Sequence, residues 1–459
     1  MKRFEDGCER SHCSGVDTDL TQPVKHKMKI LMILPGWPKG RLWGELAFRF
    51  PSLSLAAIAA VTPADWQIEL CDDHAQQPDF NSDADIIALT AMTPQAPRAY
   101  QIADRFRSLG KTVVMGGFHA SNMPEEALQH VDAVVIGEGE LVWPQLLDDF
   151  RNNRLRPRYR SSDLLSMSDI PVARREIFKG KGYLLTNTIQ TTRGCPYDCE
   201  FCSVTAFYGR KYRERPVETV LAELAAMRKE NSFAFFVDDN LVANRKYSLP
   251  LFKGMKGMGF KWLSHAPISF ADDPELMQAA GEAGCVGMFV GFESLNQESL
   301  KAMGKVTNSA AAFKQNAQKF RDNGIGILGS FVLGYDGDTP DIFENTLRFC
   351  EESRIEAAIF PLLTPYPGTT VRKRLEAEGR IISNSWEDYD MEHINFQPRG
   401  MSIEQLQQGY DWLNRSFYSF GSMYRRIFKL HRSVQVFGPM NIGFRSAIRR
   451  KHPTGGNTP

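Results

Sequence analysis

Short apolar runs alternate with amphipathic stretches along most of the chain, and this rhythm occurs as two successive series. In the first, Lys29 to Leu34, Trp66 to Cys71, Asp85 to Thr90, Thr112 to Met115 and Ala133 to Ile136 are nearly continuous apolar runs. Strands of that composition are buried on both faces of a parallel sheet. Helical patterns such as Ser52 to Val61 and Pro97 to Leu109 separate them, so residues 28–152 are predicted to form a doubly wound, Rossmann-like α/β domain. A ligand of such a domain lies at the carboxyl ends of its strands. The second series places strands at Tyr183 to Thr191, Phe233 to Val237, Lys261 to Ser264, Val286 to Gly291, Gly326 to Leu333 and Ala357 to Leu363, giving strand–helix units across residues 183–385. The remaining segments carry no such period. Residues 1–27 are polar and are expected to be a disordered lead-in in which Cys8 and Cys13 are incidental. Residues 153–182, rich in Arg, Ser and Pro, are expected to be a linker, and residues 386–459 a helical C-terminal region ending in a basic tail.

Composition narrows the class. A chain of 459 residues exceeds one ordinary core, and 42% apolar with 24% charged residues is the balance of a globular protein. Lys plus Arg (55) nearly cancel Asp plus Glu (54), so no global field recruits nucleic acid. The longest largely apolar stretch, Leu53 to Val61, falls well short of a bilayer span. Eight cysteines over this length, with no secretory signal, suit a reducing compartment, and the expected location is the cytoplasm. The tail is the exception to the charge balance: eight Lys or Arg and no acid lie between Arg425 and Lys451, interleaved with Phe, Ile, Leu and Val. Such a segment serves either as a helical cap solvated on one face or as a contact with an anionic membrane surface.

The strongest chemical signal is Cys195, Cys199 and Cys202, in the run Thr-Thr-Arg-Gly-Cys-Pro-Tyr-Asp-Cys-Glu-Phe-Cys-Ser from Thr191 to Ser203. Structural zinc calls for four ligands, and no second Cys or His pair stands at a matching distance. A disulfide would leave one thiol over. Three thiolates on a four-iron cluster leave one iron open to a small molecule, which makes a catalytic site.

This C-x3-C-x2-C run resembles the cluster loop of the radical S-adenosylmethionine (SAM) superfamily. The resemblance implies a [4Fe–4S] cluster on Cys195, Cys199 and Cys202, whose open iron binds SAM for reductive cleavage to methionine and a 5′-deoxyadenosyl radical. It also implies that Phe201 packs beside the adenine and that six strand–helix units form the partial (β/α)6 barrel typical of the superfamily. Strand ends of a barrel gather its chemistry, which marks Asp238-Asp-Asn240 after the second strand as a cofactor-binding candidate. Gly291-Phe-Glu-Ser294 resembles the superfamily's G-x-E-S run, so Glu293 and Ser294 are expected to contact SAM. Gly329 to Asp338 is similar to the segment beside the adenine. Cys285 and Cys350 are expected in the core.

The first domain resembles the cobalamin-binding domain of many radical SAM enzymes, on the runs Gly116-Gly-Phe-His-Ala-Ser121, Pro124-Glu-Glu126 and Gly137-Glu-Gly-Glu140. Gly116 and Gly117 would let the backbone approach a corrin, and His119 is a further candidate. The D-x-H-x-x-G motif of mutases is absent, since Asp72-Asp-His74 lacks the glycine and follows the second strand. A cobalt without a protein imidazole is therefore expected. Pro35 to Trp43, with two tryptophans, Lys39 and Arg41, is expected to line the corrin or cap the substrate. From Pro361 to Asp390 the chain looks like the group that includes hopanoid methylases and the anaerobic magnesium-protoporphyrin ester cyclase.

The expected activity is cobalamin-dependent methylation of an unactivated carbon. Its alternatives are a non-methylating radical cyclase, oxidase or rearrangement enzyme, and a non-catalytic metal scaffold. Expected partners are a hydrophobic small-molecule substrate and a reductant such as flavodoxin or ferredoxin. RNA thiomethylation would need a second cluster or an RNA-binding module, and neither is visible.

Overall fold

The computed structural model describes residues 27–45, 50–183, 186–229, 231–305, 308–427 and 434–451. Nearly all of the expected lead-in, with Cys8 and Cys13, lies outside the described residues.

The first sheet contains β1 (Lys29–Leu34), β2 (Gln67–Asp72), β3 (Ile86–Thr90), β4 (Thr112–Gly116), β5 (Ala133–Ile136) and β6 (Arg158–Arg160), in the order β2-β1-β3-β4-β5-β6. All its pairings are parallel. Consecutive residues go to opposite cores: Leu31, Ile33, Ile87 and Leu89 pack under the helix Ala96–Ser108. Ile30, Met32, Ile86 and Ala88 pack toward the helices Leu53–Ala60 and Trp143–Arg151. The two-sided burial expected from the apolar runs is thus present. One element departs from expectation. Tyr159, buried near the start of the stretch expected to be a linker, takes β6 onto the edge of this sheet, so the domain runs past Asn152.

The second series holds β7 (Thr188–Ile189), a short antiparallel pair of β8 (Thr192–Arg193) with β9 (Arg213–Glu214) that brackets the cysteine loop, then β10 (Phe233–Phe236), β11 (Lys261–Pro267), β12 (Cys285–Glu293), β13 (Gly326–Phe331) and β14 (Ala357–Ile359). Apart from that pair, these form one parallel sheet, β14-β13-β12-β11-β10-β7. Six parallel strands with intervening helices are the partial barrel expected from the sequence. Met288, Val290 and Phe292 of β12 face the outer helices, where Phe313 and Ala317 meet them. Cys285 and Cys350 are buried in this core as expected.

The C-terminal helices Ile403–Phe417, Phe420–Ile427 and Val434–Lys451 cover the barrel. Phe437 lies against Gly287 of β12 and Gly326 of β13, where any Cβ would come within 3 Å of its ring. Much of the basic tail is committed inward. Arg426 is buried and donates to Ile355 O and Glu356 O at 2.8 Å, with its guanidinium over the Phe417 ring. Arg425 pairs with Glu351, Arg445 donates to Tyr418 O, and Lys451 pairs with Glu392. Among the described residues, no helix is long and apolar enough to cross a membrane.

Candidate functional site

A cavity of about 1520 Å³ opens where the strand ends of the first sheet face the barrel. That exceeds the 300–1,000 Å³ typical of small-molecule sites. Its walls include Trp37 and Trp43 after β1, Gly116 and Gly117 after β4, Gly137 to Glu140 after β5, and Ser203, Val204 and Phe207 just beyond the third cysteine. The order β2-β1-β3 puts the topological switch point between β1 and β3, so the loops after these strands diverge and leave a crevice.

The glycine turns fit a broad flat ligand, although not in the way the sequence suggested. Gly117 has φ +92°, and a Cβ there would sit 2.6 Å from Thr90 Oγ1 and 3.1 Å from the Ala91 backbone. This glycine is thus required by the protein's own backbone as well as lining the cavity. Gly137 behaves differently. At φ +80° a Cβ would meet nothing within 4 Å, so this position opens directly on the cavity. Its N–H donates to Ser121 Oγ at 3.0 Å, which fixes the turn.

His119 is also corrected. It is fully buried, with Nε2 3.0 Å from the Tyr100 hydroxyl and 3.3 Å from Glu126, and its ring lies edge-on to Trp386. Glu126 in turn accepts from Trp386 Nε1 at 2.8 Å, so His119 belongs to a joint between the first domain and the C-terminal segment. His74 lines the cavity, but both of its nitrogens are engaged: Nε2 accepts from Trp37 N–H at 2.9 Å and Nδ1 donates to Asp72 at 2.9 Å.

The cysteine loop is held from beneath. Asp238 is fully buried, and its Oδ1 accepts from Thr191 N at 3.0 Å, from the Thr191 and Thr192 hydroxyls at 2.7 Å, and from Thr192 N. Burial pushes its carboxyl up to about 6 against those donors. Asp238 therefore anchors the backbone leading to Cys195, which corrects its assignment to direct cofactor binding; its Oδ2 is buried without a partner. Arg193 leaves the loop to pair with Glu138 at 2.7 Å and with Glu140 at 2.5 Å, and Arg213 reaches Glu138 at 2.9 Å. The acidic pair of the first domain thus grips the base of the cysteine loop. On the other side Glu200 N donates to Met303 O, and its carboxylate accepts from Arg374 at 2.9 Å.

Cys195, Cys199 and Cys202 are free thiols on this one loop. Cys202 also occupies the N-cap position of the helix Ser203–Tyr208, whose N–H groups favour a negative sulfur. Burial pushes the Cys199 thiol up to about 12, while the Lys305 ammonium nearby acts in the opposite sense. Among the described residues, no three His, Cys, Asp or Glu side chains converge as a single-ion site. Three thiols distributed round a loop with a neighbouring cation fit a cluster of several irons.

Glu293 stands at the end of β12 with φ +66°, a left-handed conformation uncommon for a non-glycine residue and costing about 1–3 kcal/mol. It is buried and pairs with Lys305 at 2.8 Å, and the same ammonium faces Cys199 and Cys202. A buried ion pair beside the cysteine loop is suited to the ammonium and carboxylate of an amino acid. Ser294 Oγ accepts from Asn296 N–H at 3.0 Å, bracing the turn. Phe201 is half-buried against Met303, Val332, Tyr335 and Leu363. Lys305 and Arg193 were not singled out from the sequence. Arg193 had a readable signal, its place two residues before Cys195, whereas Lys305 had none.

Comparison with known proteins decides the family. Residues 189–350 match the radical SAM superfamily and residues 42–147 the B12-binding domain, while residues 369–442 match a domain of unknown function (DUF4070). The chain is 31% identical over 419 residues to bacteriochlorophyllide d C-12(1)-methyltransferase of Chlorobaculum tepidum, covering 89% of this chain and 91% of that protein. This chain belongs to the radical SAM superfamily, in the group with an N-terminal B12-binding domain. It is also 30% identical to hopanoid C-2 methylase of Rhodopseudomonas palustris, over 77% of this chain and 71% of that one. In fold it is similar to the radical SAM methyltransferase TsrM from Kitasatospora setae, solved with cobalamin and a [4Fe–4S] cluster bound. The TM-score is 0.61 at 16% identity, over 78% and 76% of the two chains. As a member of this group, the protein is a radical SAM enzyme whose cofactors are a [4Fe–4S] cluster, SAM and cobalamin.

Proposed function

We propose that the protein methylates an unactivated carbon of a hydrophobic, ring-bearing small molecule held in the barrel lumen. The observation that carries this reading is the single cavity shared by the glycine turns of the first sheet and the helix that follows Cys202. When bound, the three cofactors supply reductive cleavage of SAM to a 5′-deoxyadenosyl radical at the cluster and a methyl group from cobalamin. In this reading Cys195, Cys199 and Cys202 hold the cluster, while Glu293 and Lys305 orient the amino-acid end of SAM. Asp238 and Arg193 keep the cysteine loop in register with the first domain. The Gly137 turn would admit a corrin, while His74 and His119 are committed to partners within the protein. The named activities of the two relatives, on a tetrapyrrole and on a hopanoid, support a polycyclic substrate. An oxygen-sensitive cluster calls for a reducing cytoplasm and a low-potential donor such as flavodoxin or ferredoxin.

The test is anaerobic incubation of reconstituted protein with SAM, reductant and whole-cell extract, followed by mass spectrometry. Deoxyadenosine together with S-adenosylhomocysteine and a product heavier by one methylene is the expected outcome. Deoxyadenosine without S-adenosylhomocysteine would replace methylation by a cyclase, oxidase or rearrangement.

A further inference from the structure

The barrel lumen has a polar group that none of the cofactor assignments uses. On β11, Trp262, Ser264 and Ala266 are buried toward the outer layer, while Leu263, His265 and Pro267 alternate with them and are only half-buried. Phe235 on β10 and Phe289 on β12 show the same partial exposure although they lie in central strands, so these positions face an open lumen. Their rings form a row: Phe235 and Phe289 stand 5.6 and 5.1 Å from the His265 ring, and Phe50 continues the row 5.2 Å beyond Phe235. Phe437 closes the layer below, against Gly287 and Gly326.

His265 is the one imidazole in this row, and its tautomer is set by the backbone. Nδ1 lies 2.9 Å from Asp238 O, a carbonyl that can only accept, so Nδ1 carries the proton and Nε2 keeps its lone pair. Burial drives the ring's pKa down to about 4, so it remains neutral. Asp238 meanwhile anchors the cysteine loop through its side chain, which ties the direction of the imidazole to the same residue. A hydrogen-bond acceptor flanked by aromatic rings selects flat apolar molecules that carry a donor.

We infer that His265 Nε2 is the polar anchor of the substrate site, accepting a hydrogen bond from an N–H or O–H borne by a flat, largely apolar ring system that lies on Phe235 and Phe289. The inference rests on the barrel lumen being the substrate site and adds the chemistry the substrate must present there.

Carbazole and N-methylcarbazole are suitable probes, since they share one flat ring system and differ only in the donor. Fluorescence titration of the anaerobically reconstituted holoenzyme should show carbazole binding about ten-fold more tightly, the worth of one buried hydrogen bond. In His265→Phe the two probes should bind alike, whereas His265→Gln, which still offers an acceptor, should keep a preference for carbazole. Iron and cobalamin content measured on the same samples establish that each variant is loaded. Equal affinity of the wild type for the two probes, failure of carbazole to bind it, or an undiminished preference in His265→Phe would overturn the assignment. Deoxyadenosine formation without probe reports separately on the radical reading, so the two failures are distinguishable.

Discussion

The cysteine loop of the barrel and the glycine turns of the first sheet face one cavity, yet buried charge fixes the former and missing side chains shape the latter. Asp238, Glu138, Glu140 and Glu200 hold the cysteine loop by ion pairs and hydrogen bonds with little exposure to water. At Gly137, by contrast, the structure provides room and almost no specific contact. A loop that must place three sulfurs needs rigid partners, because an error of 1 Å misplaces the reacting atoms. A surface that receives a broad flat ligand needs clearance, and its affinity is spread over a large area.

The sharpest break of this contrast is on the charged side. Cys199→Ala is expected to abolish deoxyadenosine formation and to lower iron content, while Cys285→Ala, in the barrel core, should retain both. Chromatography of reaction products with iron analysis checks this, and retained SAM cleavage in Cys199→Ala would remove the cysteine loop from the mechanism.

The next effect concerns the grip of Glu138 on Arg193 and Arg213. Breaking a buried ion pair from one side costs about 3–5 kcal/mol, so Glu138→Gln should lower the melting temperature by several degrees. Burial alone would raise the Glu138 pKa, but Arg213 and Arg193 outweigh it and hold the carboxyl below its ordinary 4.5. A carboxyl depressed in the folded state contributes stability that is complete above about 4.5 and is lost as pH falls through its folded value. The gap between wild type and Glu138→Gln should therefore be full at pH 7 and shrink below about pH 4.5, as read by thermal unfolding.

On the glycine side, two substitutions should separate. Gly117→Ala collides with Thr90 and strains the backbone, so a loss of about 1–3 kcal/mol is expected whether or not cobalamin is present. Gly137→Asn puts a residue that tolerates a left-handed backbone into open cavity space, so cobalamin retention should fall about ten-fold with a smaller change in melting temperature. Equal effects of the two on cobalamin content would erase the distinction between scaffold and clearance. The smallest effect is expected from His74→Ala: the visible spectrum of bound cobalamin should be unchanged, because both ring nitrogens already serve Trp37 and Asp72.

The same contrast explains what could be read in the chain. Both parallel sheets were legible because two-sided burial demands continuous apolar runs, and β1 and β5 begin and end at the expected residues. The edge strand Arg158–Arg160 was not, since Arg, Tyr and Arg bury one ring only and carry no apolar run. The cysteine loop announced itself by spacing. The roles of Asp238, His119 and Gly117 did not, because a buried carboxylate, a ring in an interdomain joint and a backbone collision depend on partners distant in sequence, Thr191, Trp386 and Thr90 respectively. Lys305 lies twelve residues beyond Glu293, and nothing local marks it as a partner.

Phe437 gives the barrel a dependence on the order of synthesis. The strands that carry Gly287 and Gly326 leave the ribosome well before the ring that occupies the gap between them. The packing of these two central strands is therefore completed only when the last described helix docks.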